Sequence, residues 1–349
     1  MAHGGDIYRN KVNIDFSVNL NPLPLPPTVE KAVREGIDKC GFYPDPLQLS
    51  LRSGIAQSDG VGISEIYAGA GASQLIMATV KACEPEKALL IEPCFSGYRH
   101  ALRSCKACGI SEYMLKEEEE FGLTEEILGY IDEFVDLLFL TDPWNPTGRQ
   151  IDKAVLEAIL DKTLKTGTKV ILDQSFILMS DIGMDRYNAA KLIKKYKNLF
   201  IIRSYTKFFS LPGLRMGYVI AGEDEINDLK TVLPEWNISA IASNTMEACA
   251  EVILLGDHAR ATGIKIREER KYLTDHLKAL GIRVFDSDTA FLLIKHNKDL
   301  YTELLGKGIL IRDCSDYKGL GKGFYRIAVK DHASNEILVK NIGEIINGY

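Results

Sequence analysis

The sequence predicts an α/β fold: a large domain on a mostly parallel sheet, then a smaller α+β domain at the C-terminal end. Three observations carry this expectation. Short, nearly continuous apolar runs recur between residues 88 and 221, as expected of strands covered on both faces. Amphipathic helical segments stand between many of them, the pattern of a parallel sheet with helical crossovers. After about residue 235 the texture changes to long helices and a few short strands.

Residues 1–27 read as an arm. In NPLPLPP, at 21–27, four of seven residues are proline, which excludes a helix interior or a central strand. Thr28 offers a helix cap, and VEKAVREGI after it has helical periodicity. CGFYPDP, at 40–46, is irregular again. The large domain, 28–235, then offers the strand candidates ALLIE (88–92), VDLLFLT (135–141), KVILD (169–173), LFIIRS (199–204) and RMGYVIA (215–221). RQIDKAVLEAILDKTLK, at 149–165, is one of the intervening helices. In the small domain, 236–349, ISAIASNTMEACAEVILL and ATGIKIREERKYLTDHLKAL read as long helices. FLLIK (291–295), GILIR (308–312) and FYRIAVK (324–330) read as short strands.

Composition narrows the function. Hydrophobic residues at 46% and charged residues at 26% are ordinary for a soluble globular protein. A formal net charge of −6 weighs against a nucleic-acid partner. KEEEE, at 116–120, reads as a solvated loop. No apolar run approaches the roughly 18 residues of a membrane-crossing helix, and MAHGGDIYRN lacks the apolar core of a signal segment. Cys105 and Cys108 form the one C-x-x-C among seven cysteines. Without a second pair no metal site is expected, and reduced thiols in a cytoplasmic protein are the natural reading.

In an open α/β sheet, polar groups at strand ends mark the place to look for a site. Asn145 lies in TDPWNPTGR, after one apolar run. Asp173 closes KVILD, where a carboxylate needs a partner if buried. Ser204, Thr206 and Lys207 follow NLFII in RSYTK. In YAGAGASQLI, at 67–76, small residues precede a helix, so backbone N–H groups around Ala72 and Ser73 could cradle a phosphate. The glycines do not fit the dinucleotide pattern. Together these groups suit pyridoxal phosphate. Lys207 can form a Schiff base, Asp173 can pair with a protonated pyridine nitrogen, and Asn145 can donate to a phenolate oxygen. Arg215, Ser204 and the helix start can bind the phosphate.

With WNPTG, the aspartate before QSF, SYTK and PGLR on the page, the chain resembles the fold-type I pyridoxal-phosphate enzymes of the aminotransferase class along essentially its whole length. The resemblance implies that fold and an enzyme. It gives Lys207 the cofactor, Arg215 and Ser204 the phosphate, Asp173 the ring nitrogen and Asn145 the ring oxygen. Phe95, in EPCFSGY, takes the position that stacks on the ring, with Tyr98 as the competing candidate. Tyr43, in FYPDP, takes that of a tyrosine lent to a partner's cofactor phosphate, which implies a homodimer with shared sites.

Two families within the class resemble the chain further. Histidinol-phosphate aminotransferases share YPDP and PGLR. Threonine-phosphate decarboxylases, of the cobalamin pathway, also share HGGDIYR, DFSVNLNP, ILIRDCSDYKGL and FYRIAVK. The second resemblance implies decarboxylation of L-threonine O-3-phosphate to an aminopropanol phosphate. Serine phosphate is an alternative substrate, and amino transfer from histidinol phosphate or a related amine an alternative reaction. The class resemblance gives Arg326 a substrate anion; the decarboxylase resemblance makes Arg312 and His3 parts of a substrate-anion site, and Asn19 is a further pocket candidate. The chain departs from the class pattern at Trp144, Gln174, Ser175 and Phe176. Phe176 removes a phenol that many aminotransferases aim at the ring oxygen, and agrees with the decarboxylase pattern. Arg203 has no assigned role.

Overall fold

In the computed structural model the described residues are 4–106, 108–181 and 189–348. The arm carries a two-residue strand, β1 (Ile14–Asp15), and leads into α1 (Pro27–Asp38) and α2 (Leu49–Asp59). Pro26 stands at the cap of α1, so Thr28, expected as the cap, is already helical.

Seven strands form the large sheet: β2 (Ile66–Gly69), β3 (Lys87–Glu92), β4 (Gly109–Met114), β5 (Leu137–Thr141), β6 (Lys169–Asp173), β7 (Leu199–Ser204) and β8 (Gly217–Ile220). Their order is β2-β8-β7-β6-β5-β3-β4. Strands β3 to β7 run parallel, and β8 pairs antiparallel with both β7 and β2. Helices α3 (Ala72–Cys83), α4 (Ser96–Leu102), α5 (Lys153–Thr166), α6 (Tyr205–Phe208) and α7 (Glu223–Val232) lie between or after the strands.

The continuous apolar runs have the expected cause. Leu138, Leu140, Val170, Leu172 and Ile201 face one core, while Leu137, Phe139, Ile171, Phe200 and Ile202 face another. Successive residues of a strand point to opposite faces, and here both faces are covered. Chain direction then sets the site. Thr141 and Asp173 are neighbours in register at the carboxyl ends of β5 and β6, and Ser204 ends β7 beside them.

Helix α8 (Ala240–Leu255), beyond the change of texture, packs on α1 and α2, with Met246 and Cys249 sharing a core with Leu51 and Ile55. Helix α9 (Asp257–Ala279) leads to the smaller sheet of β9 (Arg283–Val284), β10 (Phe291–Lys295), β12 (Arg312–Asp313) and β13 (Phe324–Ala328). α10 (Leu300–Gly306) and α11 (His332–Asn347) complete this region. GILIR, expected as one strand, is split. Its first half, β11 (Ile309–Leu310), pairs with β1 of the arm, and Arg312 begins β12 in the small sheet. Phe16 of the arm is fully buried in the core of the small sheet.

The glutamates at 117–120 are not merely solvated. Glu117 pairs with Arg283 at 2.8 Å and Lys295 at 2.9 Å, and Glu120 with Arg283 at 3.2 Å, joining the loop to the small sheet. Among the described residues, no helix is long and apolar enough to cross a membrane.

Candidate active site

One cavity of about 430 Å³ opens at the carboxyl ends of β5, β6 and β7, between the arm and the small sheet. Lys207 lines it from the single turn that continues β7. Burial, with Arg326 and Arg215 close by, pushes its amine down to about 8 from 10.5. The arm fixes this turn, since Asn21 N–H donates to Lys207 O at 3.1 Å and Asn21 Nδ2 to Phe208 O at 2.8 Å.

From Lys207 the chain loops through Pro212 and returns at Arg215, which sits in the left-handed region at φ 54°. Ser204 Oγ and Thr206 Oγ1 both donate to Met216 O, at 2.8 and 3.0 Å, closing that loop. The guanidinium of Arg215 lies against Gly71, at the cap of α3. A Cβ on Gly71 would come within 2.9 Å of Arg215 Nη2, and one on Gly217 within 2.8 Å of Ala72 N. Two glycines therefore bring an arginine and a helix start, with Ala72 and Ser73, to one corner of the cavity. The first N–H groups of a helix have no partner within it, so this corner has the donors and the charge that would suit a phosphate.

Asp173 is 6% exposed. Its Oδ1 accepts from Ser175 N at 2.9 Å and Ser175 Oγ at 2.6 Å, and its Oδ2 from Tyr98 OH at 2.7 Å. Burial raises its pKa despite these bonds, and among the described residues it makes no ion pair. A buried carboxylate beside a cavity, with donors but no cation, suits a protonated ring nitrogen.

Phe95 and Tyr98 both line the cavity, and Gly97 leaves space for the ring of Phe95, since a Cβ there would fall 2.1 Å from Phe95 Cε1. Tyr98 stacks on Phe139 beneath it, with ring centroids 4.8 Å apart, and turns its hydroxyl to Asp173 and Thr141.

Asn145 Oδ1 accepts a hydrogen bond from Arg326 Nη1. Arg326 Nη2 donates to Ser17 O at 2.8 Å, so one guanidinium joins β13, the loop after β5 and the arm. Its Nε and both polar atoms of Asn19 are buried without a hydrogen-bond partner, and both residues line the cavity. Arg312, opposite Arg326 in the register of β12 and β13, lines it too.

Tyr43 is 80% exposed and packs its ring, tilted, against Trp236, outside the lining of its own chain's cavity. His3 lies outside the described residues. The neighbouring Gly4 lines the cavity, and Gly5 N donates to Ser17 Oγ at 2.7 Å. Trp144 packs as a buried side chain, its Nε1 donating to Pro93 O at 2.8 Å. Gln174 accepts from Arg203 and is not among the residues that line the cavity, whereas Ser175 lines it and donates to Asp173. Phe176 lines the cavity against Phe291. Thr206, which follows Ser204 in the sequence reading, lines it as well, and so do Ser17 and Tyr317, which the sequence did not single out. The spacing of Asp173 and Ser175, an aspartate with a serine two residues on, is a local turn signal that could have flagged Ser175.

The sequence matches the family described as aminotransferase class I and II over residues 11–342. It is 31% identical to the threonine-phosphate decarboxylase of Salmonella typhimurium, covering 99% of this chain and 97% of that protein. The solved histidinol-phosphate aminotransferase of Clostridium acetobutylicum superposes with a TM-score of 0.88 at 29% identity, over 96% of this chain and 100% of that one. The L-threonine-O-3-phosphate decarboxylase of Porphyromonas gingivalis gives 0.81 at 26% identity, over 96% and 99%. The cavity fits the pyridoxal phosphate that such enzymes use: a lysine of lowered pKa, a buried carboxylate lacking a cation, and a glycine-lined phosphate corner.

Proposed function

We propose that this chain, which belongs to the aminotransferase class I and II family and is a pyridoxal-phosphate-dependent enzyme, decarboxylates L-threonine O-3-phosphate to (R)-1-amino-2-propanol O-2-phosphate, a step of cobalamin biosynthesis. The relatives share something coarser: a cofactor-dependent enzyme of the threonine-phosphate decarboxylase and histidinol-phosphate aminotransferase group, acting on a small phosphorylated amino compound.

In this reading Lys207 holds the aldehyde end of the cofactor. Arg215, Ser204, Ala72 and Ser73 hold its phosphate. Asp173 faces the ring nitrogen, Asn145 the ring oxygen and Phe95 the ring face. The cofactor supplies an electron sink for a bond broken at the substrate α-carbon. With the cofactor bound, the protein would select the reaction by where its residues anchor the substrate. The Lys207 amine, near 8, can exchange a proton with the α-carbon close to neutral pH.

One observation carries the decarboxylase reading: Arg312 and Arg326, directly opposite on neighbouring strands, face one cavity together with Gly4 of the arm. Two guanidinium groups suit a carboxylate at one end of a substrate and a phosphate at the other. His3 and Asn19 complete that anion site in this reading.

A second reading, amino transfer from histidinol phosphate or a related phosphorylated amine, has the broader support among the relatives. The matched family is an aminotransferase family, and the aminotransferase from Clostridium acetobutylicum superposes with the higher TM-score, 0.88. An amino acceptor with two carboxylates would suit the same two arginines. Product analysis separates the readings. Incubation with threonine phosphate and no keto acid is expected to release carbon dioxide and aminopropanol phosphate. Keto-acid-dependent amino transfer without carbon dioxide establishes the second reading. Serine phosphate, one methyl smaller, belongs in the same assay.

The reading extends to a cytoplasmic homodimer in which the exposed Tyr43 reaches the partner's cofactor phosphate. It is tested by sedimentation of the holoenzyme and by the cofactor affinity of Tyr43→Phe.

A further inference from the structure

We propose that Asp316 restrains the binding of phosphorylated ligands: its carboxylate occupies Arg312 in the place of a ligand's phosphate, which must displace it to bind. The inference rests on the reading above that the substrate is phosphorylated and meets Arg312.

Arg312 and Arg326 are in register on antiparallel strands, and each is 7% exposed. Like charges directly opposite one another on a sheet are unfavourable, and a buried guanidinium without an anion is costly. The two arginines meet this difficulty differently. Among the described residues Arg326 makes no ion pair. Its acceptors are the Asn145 amide and the Ser17 carbonyl, and its buried Nε has none. Arg312 has a carboxylate: its Nη2 lies 2.7 and 2.9 Å from the two oxygens of Asp316. Nη1 donates to Asp313 O, and the guanidinium lies over the ring of Tyr317, 5.1 Å from its centroid.

The two partners differ in how easily they can part. The Arg312 side chain is 8% exposed and that of Asp316 48%. The arginine is fixed in the wall and the carboxylate is half in water. Arg312 also stands between two spaces, the main cavity and a recess of about 150 Å³ that it shares with Asp316, Lys318 and Arg99. A carboxylate leaving Arg312 therefore keeps contact with water; Arg99 and Lys318 in that recess are already paired with Glu92 and Glu112.

Charge accounting gives the consequence. With Asp316 in place, the pair of arginines presents one uncompensated positive charge, that of Arg326. A ligand with only a carboxylate matches it and leaves Arg312 undisturbed. A ligand with a carboxylate and a phosphate exchanges one anion for another on Arg312, and binds more weakly by the strength of the bond it breaks. Asp316 thereby restrains the affinity for phosphorylated ligands alone, which favours release of a phosphorylated product.

The test uses holoenzyme and two unreactive probes without an amine: 3-phosphonopropionate, with both anions, and propionate, with the carboxylate only. Binding is followed by calorimetry for wild type, Asp316→Asn and Arg312→Gln. An ion pair with one partner half-exposed corresponds to a change of about two- to five-fold. Asp316→Asn is expected to bind phosphonopropionate tighter by that factor, with propionate unchanged. Unchanged or weaker phosphonopropionate binding, or equal tightening of both probes, overturns the inference. Arg312→Gln is expected to abolish the preference for phosphonopropionate. If it does, and Asp316→Asn fails to tighten, the inference alone is lost. If Arg312→Gln leaves the preference intact, the substrate phosphate does not meet Arg312, and the reading above falls with the inference.

Discussion

The hydroxyl of Tyr98 donates a 2.7 Å hydrogen bond to Oδ2 of Asp173 and also contacts Thr141 Oγ1 at 2.9 Å, all three groups being buried. The phenol is neutral, because burial and the neighbouring carboxylate push its pKa well up. It therefore acts as a fixed donor that favours the charged form of Asp173. Tyr98→Phe keeps the ring stacked on Phe139 and deletes only that donor. An acceptor left unsatisfied in the interior costs about 1–3 kcal/mol. Cofactor affinity, measured by absorbance titration of the cofactor-free protein, is expected to fall about ten-fold. Unchanged affinity would show that the bond serves packing alone.

The lowered pKa of Lys207 has a consequence for stability. Between about 8 and the ordinary 10.5, the unfolded chain holds this proton and the folded chain does not. Stability rises with pH wherever the unfolded state binds more protons. The penalty for the buried cation is thus fully present below about 8 and relieved as the pH climbs towards 10.5. Thermal melting of the cofactor-free protein is expected to show this rise. Lys207→Met should flatten it, raise the melting temperature near neutral pH and abolish the absorbance of lysine-bound cofactor. A variant that keeps both the slope and the covalently attached cofactor would contradict the assignment.

Arg203 shows where sequence reading stops. It is 1% exposed, paired with the fully buried Asp59, and its Nε and Nη2 donate to Gln174 Oε1 at 3.0 and 2.8 Å. With Asp59 balancing the charge, a neutral amide suffices at 174, which accounts for glutamine after the strand aspartate. Removing one partner of a buried pair costs about 3–5 kcal/mol. Asp59→Asn is expected to lose that much in urea unfolding.

What could be read in advance follows the same division. KVILD and LFIIRS were legible because strands covered on both faces are apolar throughout. β4, at the sheet edge and largely accessible, has no such run. GILIR divides because its halves pair with segments far apart in sequence, a choice no local propensity encodes. In the site, Lys207, Asp173, Asn145 and Arg215 stood out by type and position at strand ends. Their pairings did not: Tyr98 meets Asp173 across 75 positions and Arg326 meets Asn145 across 181. Those meetings are products of packing.

The bond between Arg326 and Asn145 separates two roles for this arginine. Oδ1 of Asn145 accepts from Nη1, so the amide's donor end is left for the ring oxygen it is proposed to meet. Nη2 is held by Ser17 O at 2.8 Å, which ties the arm into the same arrangement. Lysine in place of arginine would keep the charge but lose the planar fork that reaches both acceptors. If Arg326 only bound substrate, Arg326→Lys would raise KM and leave the resting holoenzyme's spectrum untouched. Because it also orients Asn145, the variant is expected to shift the visible absorbance of the resting holoenzyme or its pH titration before any substrate is added. KM should rise about ten-fold or more with the loss of a charge-assisted bond. A normal resting spectrum with a raised KM would confine Arg326 to the substrate anion and leave Asn145 to be oriented by its loop alone.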